Sequence, residues 1–224
     1  MTTNPIDLIL IRHGETSWNV ERRLQGHLDI DLNAHGRVQA AALATALAKE
    51  PLDAIICSDL QRALQTAHTI AQHNHLPCVV QPQWRERNFG GFEGELISTL
   101  PQRYPVEYAN WRACHTDSTF PPNAHGEYTG ESIRQFHARI ENAFLTLARE
   151  FPGKKIAVVT HGGILECAYR ISHQLALNAP RQTSMQNASL NRFVLSIEHN
   201  RPKLDLVEWG DTAHLTSSLD EISG

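Results

Sequence analysis

Three short runs of branched apolar residues, at 8–11 (LILI), 54–57 (AIIC) and 156–159 (IAVV), constrain this chain more than any other feature. Each run is continuous rather than alternating, which marks a strand covered on both faces, as in a parallel sheet flanked by helices. Between and after them, segments 33–49, 60–73, 132–149 and 164–173 read as helices. The third of these carries Ile133, Phe136, Ile140, Phe144 and Leu147 at steps of three and four, opens on a Ser132/Gln135 capping-box pattern, and is stopped by Pro152 and Gly153. Strand, helix, strand, helix in that order predicts an α/β fold, a three-layer α/β/α arrangement around a central, mostly parallel sheet. Segments 192–197 and 203–208 read as a hairpin at its edge, turned around Asn200 and Pro202.

One domain spanning 1–224 is expected, because 224 residues with 41% hydrophobic content fill one core and crowd two. Residues 95–130 break the pattern: Pro101, Pro105, Pro121 and Pro122 are interleaved with Tyr104, Tyr108, Trp111 and Phe120, which reads as an inserted lid or substrate wall. The polar segment 212–224 is expected to be a flexible tail. A net charge of -4 and a pI near 6.3 argue against a surface built for nucleic acid or anionic lipid, so any anion site must be local. The start of the chain lacks a signal-peptide pattern, and the longest apolar stretch, 40–48, is far short of the ~20 residues that span a bilayer. Cys57, Cys78, Cys114 and Cys167 form no C-x-x-C pair. A cytoplasmic protein with neither membrane nor nucleic acid as partner is expected; its oligomeric state is unknown from sequence.

Ligands of parallel sheets bind beyond the carboxyl ends of the strands, and here those ends carry a consistent chemistry. The first run delivers Arg12, His13 and Gly14. The second delivers Ser58 and then Arg62, and the third Thr160, His161, Gly162 and Gly163. Arginine forks match phosphate, and a helix opening at Gly162 turns free N–H groups toward an anion. Cations beside His13 disfavour its protonation and leave the imidazole nucleophilic, and a carbonyl at its other nitrogen would fix the tautomer. A leaving oxygen needs a proton, for which Glu86 in the run WRERNFGGFEG is the candidate by type.

Blander readings apply elsewhere. His68, His73 and His75 lack zinc-helix spacing and read as solvated, so no metal is expected. Ser58 reads as a helix cap rather than a nucleophile, since no G-x-S-x-G elbow is present, and no nucleotide-binding glycine loop accompanies it. Arg22, Arg23, Arg85 and Arg87 are divided by acidic neighbours and are left outside the site.

LIRHGETSWN at 10–19 and VTHGG at 159–163 resemble the histidine phosphatase superfamily, the phosphoglycerate-mutase-like proteins. The resemblance continues through RLQGHLDIDLNAHG at 23–36, SDLQRALQTA at 58–67, RERNFGGFEG at 85–94 and GES at 130–132, in family order across most of the chain. It implies the three-layer α/β fold, with His13 as the phosphorylated nucleophile and Glu86 as proton donor and later base. Arg12, Arg62 and His161 would form the phosphate pocket. Asn19 and the backbone at Gly162 would add hydrogen bonds, and Gln25 and Gly26 would lie beside the substrate.

The expected activity is hydrolysis of a small phosphorylated metabolite through a phosphohistidine, with no cofactor. A phosphoglycerate mutase, which returns the same phosphoryl group to a second hydroxyl, is the alternative. The mutase carboxylate clamp of a lysine and an arginine pair is not evident, because no lysine falls between Lys49 and Lys154 and only the separated Arg103 and Arg112 lie in 95–130. A silent phospho-ligand-binding domain is a third reading, disfavoured by the presence of both His13 and Glu86.

Overall fold

In the computed structural model, which describes residues 4–220, the three apolar runs form the middle of a six-stranded sheet. Strands β1 (Ile6–Arg12), β2 (Ala54–Cys57), β3 (Cys78–Val80) and β4 (Lys155–Thr160) run parallel in the order β3-β2-β4-β1. Beyond β1, β5 (Leu190–Glu198) and β6 (Arg201–Asp211) continue the sheet antiparallel, so it is mixed, with a parallel half that holds the three runs. The β5–β6 connection is two residues, His199 and Asn200, both at positive φ (50° and 59°), the twist a tight hairpin requires.

The helices are α1 (Ser17–Glu21), α2 (Ala34–Leu47), α3 (Gln61–Asn74), α4 (Leu100–Arg103), α5 (Pro105–Arg112), α6 (Ile133–Glu150) and α7 (Gly162–Ser172). Along β1, Ile6, Leu8 and Leu10 pack toward α6 and α7, while Ile9 and Ile11 pack toward α2 and α3. Both faces of β2 and β4 are divided in the same way, which is why the runs are continuous rather than alternating. Each such fully buried Leu or Ile contributes about 1.5–3 kcal/mol of transfer free energy. The capping box of α6 is present: Gln135 N donates to Ser132 Oγ (3.2 Å), and Ser132 N donates to Gln135 Oε1 (2.9 Å).

Two local readings change. Strand β3, with only three residues and half-exposed valines at its end, carries too little apolar signal to be read from sequence. Ser58 is not the cap of α3. Leu60 occupies that position and has no side-chain acceptor, so Asp29 Oδ1 receives the Gln61 N–H instead (2.6 Å), while Ser58 Oγ accepts from Leu60 N (3.3 Å).

Residues 95–130 contain α4 and α5 and fold over a small separate core of Leu24, Phe92, Leu100 and Phe120, with Tyr104, Tyr108 and Trp111 packed against it. Near the end of the chain, Asn187 N donates to Leu219 O (2.8 Å), Ser218 Oγ donates to Asn187 O (2.5 Å), and Asp220 pairs with Arg181 (2.8 Å). Residues 221–224 of the expected tail lie outside the described residues. Among the described residues no helix is long and apolar enough to cross a membrane.

Candidate active site

Strand order places the carboxyl ends of β2, β4 and β1 side by side, and the expected residues converge there. Arg12 and His13 leave the end of β1 almost fully buried. His13 Nδ1 faces the Gly14 carbonyl at 2.7 Å. A carbonyl only accepts, so Nδ1 carries the proton and Nε2 keeps its lone pair. Burial, followed by the Arg62 and Arg12 guanidinium groups, holds the imidazole well below its ordinary pKa of 6.5. Gly14 must lack a side chain because a β-carbon there would lie 2.6 Å from the Gly36 carbonyl oxygen.

Arg62, in the first turn of α3, donates to the carbonyls of Gly26 (2.7 Å) and Leu28 (3.0 Å), which aims a buried guanidinium along the cavity floor. Gly26 can offer that carbonyl because its φ is +51°, and a β-carbon there would lie 2.0 Å from Glu93 Oε1. Arg12 is fixed similarly, by donation to Met185 O (2.6 Å). Asn19, buried in α1, has its carbonyl oxygen engaged by Thr16 N (3.0 Å) and Thr16 Oγ1 (2.9 Å), which leaves the amide NH2 as its available donor.

His161 caps α7 and lies edge-on to His13, with ring centroids 5.2 Å apart. It is fully buried, behind His13 rather than on the cavity wall, and neither ring nitrogen has a hydrogen-bond partner. Burial and then Arg62 press its pKa well down, so it is a neutral ring with one unused N–H. Glu86 reaches the site from the 85–94 segment. Its Oε1 accepts from Arg87 N (2.7 Å) and its Oε2 from Gly163 N (3.0 Å). The start of α7 therefore gives one of its free N–H groups to this carboxylate rather than leaving them all to a bound anion.

These side chains surround a cavity of about 170 Å³ whose wall includes Arg12, His13, Asn19, Gln25, Gly26, Arg62, Glu86 and Gly162. Its wall also holds Trp111 from α5, a residue of the expected substrate wall, and residues that sequence reasoning left out of the site: Arg87 and Phe89 beside Glu86, Ile133 and Phe136 from α6, and Glu166 and Arg170 from α7. Of the aromatic residues in 95–130, Trp111 reaches the wall, whereas Tyr104 and Tyr108 serve the small core. Arg85 is outside, bound through both nitrogens to Asp59 (2.7 and 2.6 Å). The signal for Arg87 was adjacency to Glu86. For Glu166 and Arg170 it was a charged pair at i, i+4 in an otherwise apolar helix.

A profile of the histidine phosphatase superfamily, branch 1, matches residues 8–212. The chain belongs to that superfamily. Among the relatives of this histidine phosphatase, a metal-independent phosphoserine phosphatase of Arabidopsis thaliana is 34% identical over 94% of this chain and 84% of its own. A probable phosphoglycerate mutase of Serratia proteamaculans is 33% identical over 97% and 99%. Among solved structures, a phosphoserine phosphatase mutant of Entamoeba histolytica in complex with phosphoserine superimposes with a TM-score of 0.79 at 28% identity, covering 94% of this chain and 99% of that one. This histidine phosphatase thus has the fold expected from its strand order, and it is a phosphatase-type enzyme.

Proposed function

We propose that this histidine phosphatase hydrolyses a small phosphomonoester in two steps through His13. In the first, His13 Nε2 attacks phosphorus, the P–N bond forms as the P–O bond to the leaving group breaks, and Glu86 passes a proton to the departing oxygen. In the second, Glu86 takes a proton from water, whose oxygen displaces the imidazole and releases phosphate. Arg12, Arg62, the Asn19 amide and the Gly162 backbone supply donors to the phosphoryl oxygens, whose charge spreads in the transition state, while the neutral His161 ring packs edge-on against His13 and holds it in place. Gln25 and Gly26 flank the bound ester, and residues 95–130 form its outer wall through Trp111. No step draws on a metal ion.

The observation that carries this reading is the His13 Nδ1 contact with Gly14 O at 2.7 Å, which presents a neutral Nε2 between two buried arginines. The mutase reading draws support from the Serratia relative. Hydrolysis is favoured because Arg103 is ion-paired to Glu95 (2.5 Å) and neither it nor Arg112 reaches the cavity wall, so 95–130 offers no clamp for a phosphoglycerate carboxylate. The free thiols of all four cysteines support a reducing, cytoplasmic setting.

A panel of phosphomonoesters that includes 3-phosphoglycerate with and without its bisphosphate primer tests the proposal. Phosphate release without isomerisation is expected. Primer-dependent isomerisation faster than release would establish the mutase instead.

A further inference from the structure

Glu86 stands in the stretch 85–89, which is neither helix nor strand, so no ladder of backbone hydrogen bonds fixes the peptide that carries it. Side chains do so instead, and every carbonyl from 83 to 86 receives one. Thr160 Oγ1, at the end of β4, donates to Trp84 O (2.8 Å). Arg139 of α6 takes the other three: Nη1 donates to Gln83 O and to Arg85 O (2.9 Å each), and Nη2 to Glu86 O (3.0 Å). Its two remaining N–H groups form a forked pair with Glu131, Nε to Oε1 and Nη2 to Oε2 (2.7 Å each), so all five donors of the guanidinium are spent. Glu131 holds the residues that follow: its Oε2 accepts from Asn88 N (3.0 Å), its N–H donates to Asn88 O (2.9 Å), and its carbonyl accepts from Arg87 Nε (2.9 Å). His27 Nε2 adds a second donor to the Glu86 carbonyl (2.8 Å).

We infer that Arg139, braced by Glu131, is the positioning residue of the general acid: it clamps the backbone from 83 to 86 so that the Glu86 carboxyl stands at the leaving oxygen. The inference rests on the role proposed for Glu86 and extends it to side chains that never meet the substrate, since neither Arg139 nor Glu131 lines the cavity. The carboxylate end of Glu86 is held by Arg87 N and Gly163 N, and the carbonyl of the same residue by Arg139 and His27, so both ends of the side chain's lever are fixed. The donors aimed at the phosphoryl group, Arg12 and Arg62, are held by other carbonyls and do not depend on the clamp. Loss of Arg139 therefore displaces the acid while leaving phosphate binding in place. Its side chain is 24% exposed, so water can reach the carbonyls it vacates and the fold survives the substitution. A lysine there keeps the charge but cannot span three carbonyls and a carboxylate at once.

The test measures kcat and KM of Arg139→Ala and Arg139→Lys on p-nitrophenyl phosphate and on an alkyl phosphate, the better of O-phospho-L-serine and 3-phosphoglycerate. For both variants kcat on the alkyl ester should fall about 10- to 100-fold, the cost of misplacing a reacting group by ~1 Å, with KM within about threefold of wild type. On p-nitrophenyl phosphate, whose leaving group needs little protonation, kcat should fall less than about fivefold. Free guanidinium ion, added below the concentration that unfolds the protein, should restore part of the alkyl-ester turnover of Arg139→Ala and none of that of Arg139→Lys, where the lysine stem fills the space. Equal losses on the two esters, a loss carried by KM, or no gain from guanidinium in folded Arg139→Ala protein overturns the assignment. If the wild type releases phosphate from neither ester, it is the hydrolase reading that fails, and amide hydrogen exchange then decides the clamp. The Arg87 and Gly163 N–H groups, both donors to the Glu86 carboxylate, should exchange about tenfold faster or more in either variant, and unchanged exchange overturns the clamp.

Discussion

Gly163→Ala separates the acid from the rest of the machinery. The glycine stands in the first turn of α7 and gives its N–H to Glu86 Oε2 (3.0 Å). A β-carbon there would lie 2.1 Å from Glu86 Oε1 and 3.0 Å from Phe136 Cζ, whereas ordinary contact begins at 3.4 Å. The carboxylate must therefore retreat by about 1.3 Å, the difference between 3.4 and 2.1 Å. A misplacement of ~1 Å costs on the order of 100-fold, and general acid catalysis as a whole contributes ~10²–10⁴. Turnover of an alkyl phosphate should thus fall about 100-fold, while p-nitrophenyl phosphate, whose leaving group needs little protonation, should fall less than about fivefold. Stability should change little. Alanine gains up to ~1 kcal/mol over glycine in a helix, against roughly 1.5–3 kcal/mol for the charged hydrogen bond lost, a net change of a few degrees in Tm. Steady-state kinetics on both substrates with thermal unfolding as the control measure all of this. Alkyl phosphate turnover within about threefold of wild type would refute the assignment of Glu86 as the proton donor held by α7.

The two buried histidines predict how stability follows pH. His13 and His161 have folded pKa values well below 6.5, so the unfolded chain binds more protons below that pH, and unfolding free energy must fall as pH drops from about 6.5 toward the folded values. Each contributes up to about 1.4 kcal/mol per pH unit, or roughly 2 kcal/mol together between pH 6 and 5; denaturant titrations of wild type and His13→Ala, which should show about half this slope, check it. Ser132→Ala removes the capping acceptor of α6 and should cost about 1 kcal/mol by the same titration, with activity retained. Chelator treatment should leave phosphatase activity unchanged; a loss restored by added metal would count against the proposed mechanism.

The middle of the sheet was legible because both of its faces are buried, which writes Leu8 to Ile11 and Ile156 to Val159 as uninterrupted apolar sequence. Edge strand β3 escaped because exposure of Val79 and Val80 leaves nothing to read. Arg12, His13 and His161 were legible because they stand at or directly after the end of a buried strand, and Arg62 because it opens the helix that follows one. Arg87 was not, since a loop side chain can turn to solvent or inward, and here stacking on Phe120 and donation to Glu131 O decide the direction. The same holds for Glu166, whose facing follows from how α7 packs rather than from its neighbours in sequence. The placement of His161 behind His13 is likewise a tertiary fact, as is the engagement of Gly163 by Glu86.

The most direct measurement of the central claim is rapid quenching during turnover of a phosphate-labelled substrate, followed by peptide mapping. Label that is lost in acid, stable in base and carried on His13 is the predicted result, and it should be absent from His13→Ala protein. Full-rate turnover with no label on that side chain at any quench time would contradict it.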